Sequence, residues 1–111
     1  MMVEMVILKY LKEHLGVPVY LEENGVMNGE FVLFEKTSSS KINQISSATF
    51  AFQSYAESMY GAAMLNEKVK KAVESMIVLD FFASIKLNSD YNFTDTESKR
   101  YRYQAVYDIT F

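Results

Sequence analysis

From Arg100 to Phe111 the chain alternates without a break. Tyr101, Tyr103, Ala105, Tyr107, Ile109 and Phe111 fall on one side, and Arg100, Arg102, Gln104, Val106, Asp108 and Thr110 on the other. A period of two over this length specifies a strand with one apolar and one mostly polar face. At ~3.3 Å per residue such a strand runs roughly 35 Å. A domain of this size has an expected radius of gyration of only ~13 Å. The stretch from Phe81 supplies a second strand and a polar turn, so residues 81–111 read as a hairpin. One end of that hairpin is expected to overshoot the core and to dock against something.

The chain has 111 residues, half of them apolar, which suits a single domain over 1–111 with a real core. It has no cysteine, which removes disulfides, thiolate catalysis and most structural zinc sites. No apolar run approaches the ~18 residues of a membrane-spanning helix. Residues 1–15 carry Glu4, Lys9, Lys12 and Glu13 within their apolar pattern, so they read as a folded helix rather than a secretory signal. A formal charge of −3 argues mildly against nucleic acid as the main partner.

Val3, Val6, Ile7, Tyr10, Leu11 and His14 or Leu15 recur at helical spacing. This predicts a helix over about 2–15, with Gly16 as a left-handed cap and Pro18 forbidding continuation. Val17 to Glu22 reads as a short strand, followed by two turn signals, Asn24-Gly25 and Asn28-Gly29. Glu30 to Lys36 is a second strand, rich in Phe and Val. Thr37 to Ser47 is serine-rich and weakly periodic, with Ile42 and Ile45 as its apolar anchors. It reads as a surface loop, longer than the usual ~4–6 residues, either mobile or ordering on a partner. Ala48 to Tyr55 is a third strand. A long helix follows, with Ala62, Leu65, Val69, Ala72, Val73, Met76 and Ile77 as its apolar stripe. Ser54 and Ser58 are alternative N-caps, the helix runs to near Asp80, and Gly61 permits close packing on the sheet. The order is α-β-β-β-α-β-β. The expected fold is therefore α+β, a mainly antiparallel sheet of about five strands with two helices on one face.

No set of residues makes a convincing catalytic constellation. His14 is the single histidine, placed near a helix end where capping or packing explains it. Ser38 to Lys41 matches S-x-x-K without the partner motifs of that enzyme class. Asp90 to Asp95 opens like a calcium loop, but lacks the sixth-position glycine and has Tyr101 where the bidentate glutamate belongs. Asn92-Phe93-Thr94 is a glycosylation sequon by letters alone. Lys68, Lys70 and Lys71 read as a solvated helix face beside Glu67 and Glu74. Acidic Asp90, Asp95 and Glu97 precede basic Lys99, Arg100 and Arg102 at one hairpin end. These charges either pair within the molecule or set register between identical subunits.

The run Ala48-Thr49-Phe50-Ala51-Phe52-Gln53-Ser54-Tyr55-Ala56, the long helix, then Leu87-Asn88-Ser89-Asp90-Tyr91-Asn92-Phe93-Thr94-Asp95-Thr96 and Lys99-Arg100-Tyr101-Arg102-Tyr103-Gln104-Ala105 carry a likeness. Together they resemble the small tail terminator (head–tail joining, minor tail) proteins of long-tailed phages and of prophages in Gram-positive bacteria. The element order is similar, so the likeness covers nearly the whole chain. It implies a structural protein of the virion that catalyses nothing and needs no cofactor or metal. Such proteins form hexameric rings on the end of the tail tube, some from monomers in dilute solution. They stop tube polymerisation and face the head connector, and DNA passes through the ring. A flexible loop between the second and third strands orders on assembly, which here would be Thr37 to Ser47. Ser39, Lys41, Ile42 and Ile45 in that loop, with Asp90, Asp95, Glu97, Lys99, Arg100 and Arg102, are the candidate assembly interface.

Three rivals remain open at this point. A tail tube or other neck-ring protein on a related scaffold would polymerise without limit or sit in the connector. A small ligand-binding domain or enzyme would need convergent polar groups in a pocket. A nucleic-acid binder would show strong, salt-dependent affinity for free DNA.

Overall fold

The computed structural model describes residues 2–22, 28–98 and 100–111. The chain runs α1 (Val3–His14), β1 (Val19–Tyr20), β2 (Phe31–Ile42), β3 (Ile45–Ala56), α2 (Met59–Ser75), a single 3-10 turn (Met76–Val78), β4 (Ser84–Asn92) and β5 (Tyr101–Thr110). One five-stranded sheet has the order β1-β2-β3-β5-β4. All pairings are antiparallel except β1 with β2, a two-rung parallel ladder joining Val19 to Val32 and Tyr20 to Leu33. The fold is α+β, as the sequence pattern predicts.

Both helices lie on one face of the sheet, because alternation leaves each long strand a single apolar side. Val32 and Phe34 of β2, Phe50 and Phe52 of β3, and Ala105, Tyr107 and Ile109 of β5 share one core. Ile7 and Leu11 of α1, and Leu65, Val69 and Val73 of α2, complete it. Phe52 sits at its centre, with ring centroids 5.4 Å from Phe34 and 6.0 Å from Tyr107. Tyr10 of α1 ties the helices together through a 2.7 Å hydrogen bond to the Ser75 hydroxyl. Glu4 of α1 also pairs with Lys36 of β2 at 3.4 Å.

The first correction concerns residues 37–47. They are not an irregular loop. β2 runs on to Ile42, β3 starts at Ile45, and the ladder continues through Ser39↔Ala48, Ser40↔Ser47, Lys41↔Ser46 and Ile42↔Ile45. Asn43 and Gln44 make the reversal at φ of 52° and 69°. Two central residues with positive φ match the twist of a hairpin, and asparagine tolerates that region. Cross-strand side-chain bonds support the arm: Ser40 to Ser47 at 2.9 Å, and Thr37 to the Thr49 carbonyl at 3.2 Å.

The turn end of the 81–111 hairpin passes the last β3–β5 rung, Ala56↔Tyr101, with its Asp95–Arg100 bridge, and the arm adds a second overshoot at the opposite end. β5 is an inner strand, paired over its whole length with β3 from Ser47↔Thr110 to Ala56↔Tyr101. The β2–β3 tip is what extends past the end of β5, beyond the Phe111 N–H that donates to the Ser46 carbonyl. The molecule is accordingly elongated, 44 × 25 × 25 Å, with a radius of gyration of 13.9 Å.

Smaller departures have local causes. Gly16 does not adopt the left-handed region; Leu15, in extended conformation, ends α1 and donates its N–H to the Leu11 carbonyl at 2.8 Å. The first strand shrinks to Val19–Tyr20. Ser58, not Ser54, caps α2: its hydroxyl accepts from the Gly61 N–H at 3.0 Å, whereas Ser54 is buried in β3. A Cβ on Gly61 would stand 3.1 Å from the Ser58 hydroxyl and 3.2 Å from the Ala56 methyl, so the glycine does permit a close approach. α2 ends at Ser75 rather than near Asp80, and the tighter turn that follows rotates Ile77 outward. The expected turn at Asn24-Gly25 lies outside the described residues, while Gly29 takes a φ of 72°.

Candidate interaction surface

The sheet face opposite the helices carries no covering layer among the described residues. Its side chains alternate with the core residues, and a hydrogen-bonded belt crosses three strands there. Arg102 donates to the Tyr55 hydroxyl at 2.9 Å, and Tyr55 donates to the Gln53 side-chain Oε1 at 2.9 Å. The Gln53 amide donates to Gln104 at 2.9 Å, and the Gln104 amide donates to the Tyr91 hydroxyl. Donors and acceptors run in one direction from a charged end, an arrangement in which each bond polarises the next. The Arg102 guanidinium also lies 4.4 Å from the Phe93 ring centroid and donates from Nε to the Phe93 carbonyl. A second belt joins Thr49 and Asn88 to the two carboxylate oxygens of Asp108, at 2.8 and 3.1 Å.

The candidate interface residues fall into separate groups. Ser39, Lys41, Ile42 and Ile45 lie on the β2–β3 arm, and the two isoleucines at its tip are 68% and 57% exposed. Asp95, Glu97, Arg100 and Arg102 lie at the other end of the strands, beyond or beside Tyr101. Ten rungs of ladder separate the two groups, roughly 30 Å of strand. Lys99 lies outside the described residues. Asp90 is a correction: it is not at the hairpin end. β4 carries it up the sheet to the level of Ala105, where Lys70 of α2 pairs with it.

Asp95, Arg100 and Arg102 at the hairpin end are engaged within the chain. The Asp95 carboxylate accepts from the Ser98 hydroxyl at 2.9 Å and from the Glu97 N–H at 3.1 Å, which lowers its pKa below the ordinary aspartate value. Arg100 stacks over Tyr55 at 4.9 Å. Asn92 accepts from the Thr94 N–H at 3.0 Å, so the side chains of residues 90–95 turn to different partners and do not converge as a calcium loop would. Among the described residues no three metal-ligating side chains cluster. His14 donates its Nδ1–H to the Tyr10 carbonyl at 2.8 Å and stacks on the Tyr10 ring at 3.9 Å, a capping and packing role.

Lys70 departs from the solvated helix face that its neighbours suggest. Its ammonium donates both to Asp90 and, at 2.8 Å, to Glu67; the hydrogen bond to Asp90 and then that to Glu67 raise its pKa above 10.5. Close by, the Tyr107 hydroxyl donates to Glu74 at 2.5 Å, and burial with that bond pushes the phenol well above 10.0. In both cases the folded state holds a proton that the unfolded chain releases first. Their contribution is complete below the unfolded values and is lost as pH rises through 10.0–10.5 and beyond. Urea midpoints should therefore fall as pH climbs past 10.0, and Tyr107→Phe should flatten that decline. An unchanged slope in the variant would show that Tyr107 does not drive it.

The belt across the open face escaped the sequence reading. Gln53 and Gln104 sit on the polar sides of two alternating strands, but only the β3–β5 register places them opposite each other. No helix of the described residues is long and apolar enough to cross a membrane. In comparison with known proteins, no family model and no curated sequence matches this chain.

Proposed function

We propose that this chain is a structural subunit of a long-tailed phage or prophage, a tail terminator. It forms a ring on the finished tail tube, ends tube polymerisation and joins the tail to the head connector. The mechanism is steric and adhesive: copies of one subunit present one end to the tube and the other to the connector, with no reaction catalysed. The observation that carries the reading is the β2–β3 arm, whose tip exposes Ile42 and Ile45 at one end of an elongated domain. The resemblance of residues 48–56 and 87–105 supports the phage assignment. Those segments build β3 and the β4–β5 hairpin, which form most of the sheet. The residues proposed for assembly are Ser39, Lys41, Ile42 and Ile45 at the arm, and Asp95, Glu97, Arg100 and Arg102 at the opposite end. The site of action is the head–tail joint of the virion.

Deleting the gene in the source phage or lysogen tests this. Negative-stain microscopy of the lysate should show filled heads beside unattached tails, some of abnormal length. Filled heads with no tube at all would instead mark a tube subunit. Normal particles would remove the chain from the tail altogether.

A further inference from the structure

The sheet has two open edges, and they complement each other. β1 covers β2 only at Val32 and Leu33, so β2 from Phe34 onward has a free outer edge among the described residues. Among the described residues β4 has no strand partner on its outer side. We infer that these two edges pair between neighbouring copies of this chain, β4 of one subunit against the β2 edge of the next, continuing the sheet from subunit to subunit. The inference deepens the proposed ring assembly, and rests on that reading for closure into a ring.

Three independent features of the fold support the pairing. The first is direction. Each step from β2 to β3 to β5 to β4 is antiparallel, so β4 runs opposite to β2. Copies related by rotation about an axis along the strands therefore bring β4 antiparallel to the next β2, and the alternation is unbroken. The second is level. Ser84 pairs with Thr110, Thr110 with Ser47, and Ser47 with Ser40; Asp90 pairs with Ala105, Ala105 with Phe52, and Phe52 with Phe34. Ser84–Asp90 thus stands at the height of Phe34–Ser40, and no axial slip is needed to match them. The irregularities, at Leu87/Ser89 on β4 and Lys36/Ser38 on β2, fall one on each side of the rung that sets Leu87 level with Lys36.

The third is side-chain parity and chemistry. Lys86 lies level with Ser38, both on the open face, and Ser89 lies level with Glu35 on the same face. No like charges oppose one another directly, which an edge pairing must avoid. On the helix side, the β4 edge is flanked by exposed Leu87, Ile77 and Val78. The β2 edge is flanked on that side by α1, which exposes Met5, with Met2 exposed just before it, and is tied to β2 by Glu4 and Lys36. Joining the edges brings these apolar groups towards each other, with all helices on one side of the extended sheet. The contact is heterologous, because the two edges differ, so it propagates and closes only when the rotation per copy closes.

A chain without cysteine makes the test clean. The double variant Lys86→Cys/Ser38→Cys would be treated with a short thiol-specific cross-linker, both as concentrated purified protein and in cells producing it. Most of the protein should move into bands above a dimer, ending at one closed size, while each single variant yields none above monomer. Three results would overturn the pairing. The double variant could assemble by native mass yet stop at dimers. Lys86→Cys alone could dimerise as efficiently, which would mean β4 pairs with β4. The chain could also stay monomeric and unlinked under both conditions. The ladder reports the contact alone. A chain that ladders but is dispensable for joining heads to tails keeps the edge pairing and loses the tail reading. An essential joining protein without a ladder does the reverse.

Discussion

Replacing Ile42 and Ile45 together by serine should abolish head–tail joining and leave the fold intact. The two side chains face each other as the last rung of the β2–β3 ladder and are 68% and 57% exposed. Their mutual contact is a single cross-strand pair, worth ~0.2–1 kcal/mol. The folded subunit should therefore lose only a few degrees of Tm, since ~1 kcal/mol shifts a domain of this size by about 4–8 °C. Docking is different. Full burial of an isoleucine contributes about 1.5–3 kcal/mol, so covering the exposed part of both is worth roughly 2–4 kcal/mol per subunit. A ring repeats that contribution in every copy, and its removal from all copies at once should reduce complementation of a deletion phage to background. The check is plaque titre together with a melting curve of the purified variant. Wild-type titre from a well-folded double variant would dismiss the tip as a docking element.

The largest loss of stability is expected from Phe52→Ala. Phe52 is wholly buried on β3, touching Phe34, Phe50 and Tyr107 from three directions. Truncation removes the ring's transfer energy and leaves a cavity that flanking strands, fixed by ladders on both sides, cannot collapse. Such substitutions cost about 3–5 kcal/mol, against a total of ~5–15 kcal/mol for a small domain. The melting temperature should fall on the order of 15–30 °C, read by calorimetry or far-ultraviolet dichroism. A fall of only a few degrees would mean that the core closes over the gap.

The contrast between these two substitutions follows from where β2 and β3 lie along their length. Near Phe34 and Phe52 they are the centre of the core; past Lys36 and Thr49 every β2 residue is exposed, and the same two strands become an arm. One ladder therefore both holds the fold and presents its tip. The serines of the arm suit that second task. They add little apolar surface, and their hydroxyls bond across the ladder as Ser40 and Ser47 do.

Periodicity by itself determined the elements whose partners are their own neighbours. α1 and α2 were legible because an apolar stripe at helical spacing has to face a core. β5 was legible because strict alternation leaves one buried side, and Tyr101 through Ile109 do point towards the helices or their flank. The α+β class and the element order followed from these patterns, and so did the capping role of His14 at the end of α1. What only the tertiary structure decided is every relation that depends on non-local register. Residues 37–47 lack strand propensity and an Asn-Gly turn. They become a hairpin because pairing satisfies their backbone groups and Asn43 and Gln44 accept positive φ. Asp90 stands close to Asp95 in sequence, yet rising along β4 takes it to Lys70. The belt from Arg102 to Tyr91 exists only because β5 lies between β3 and β4. The two free edges stand level only because three ladders add up without a net shift. Local sequence sets which face of a strand is apolar, through the fixed geometry of the backbone. Which strand lies beside it, and at what height, is set by the packing of the whole chain.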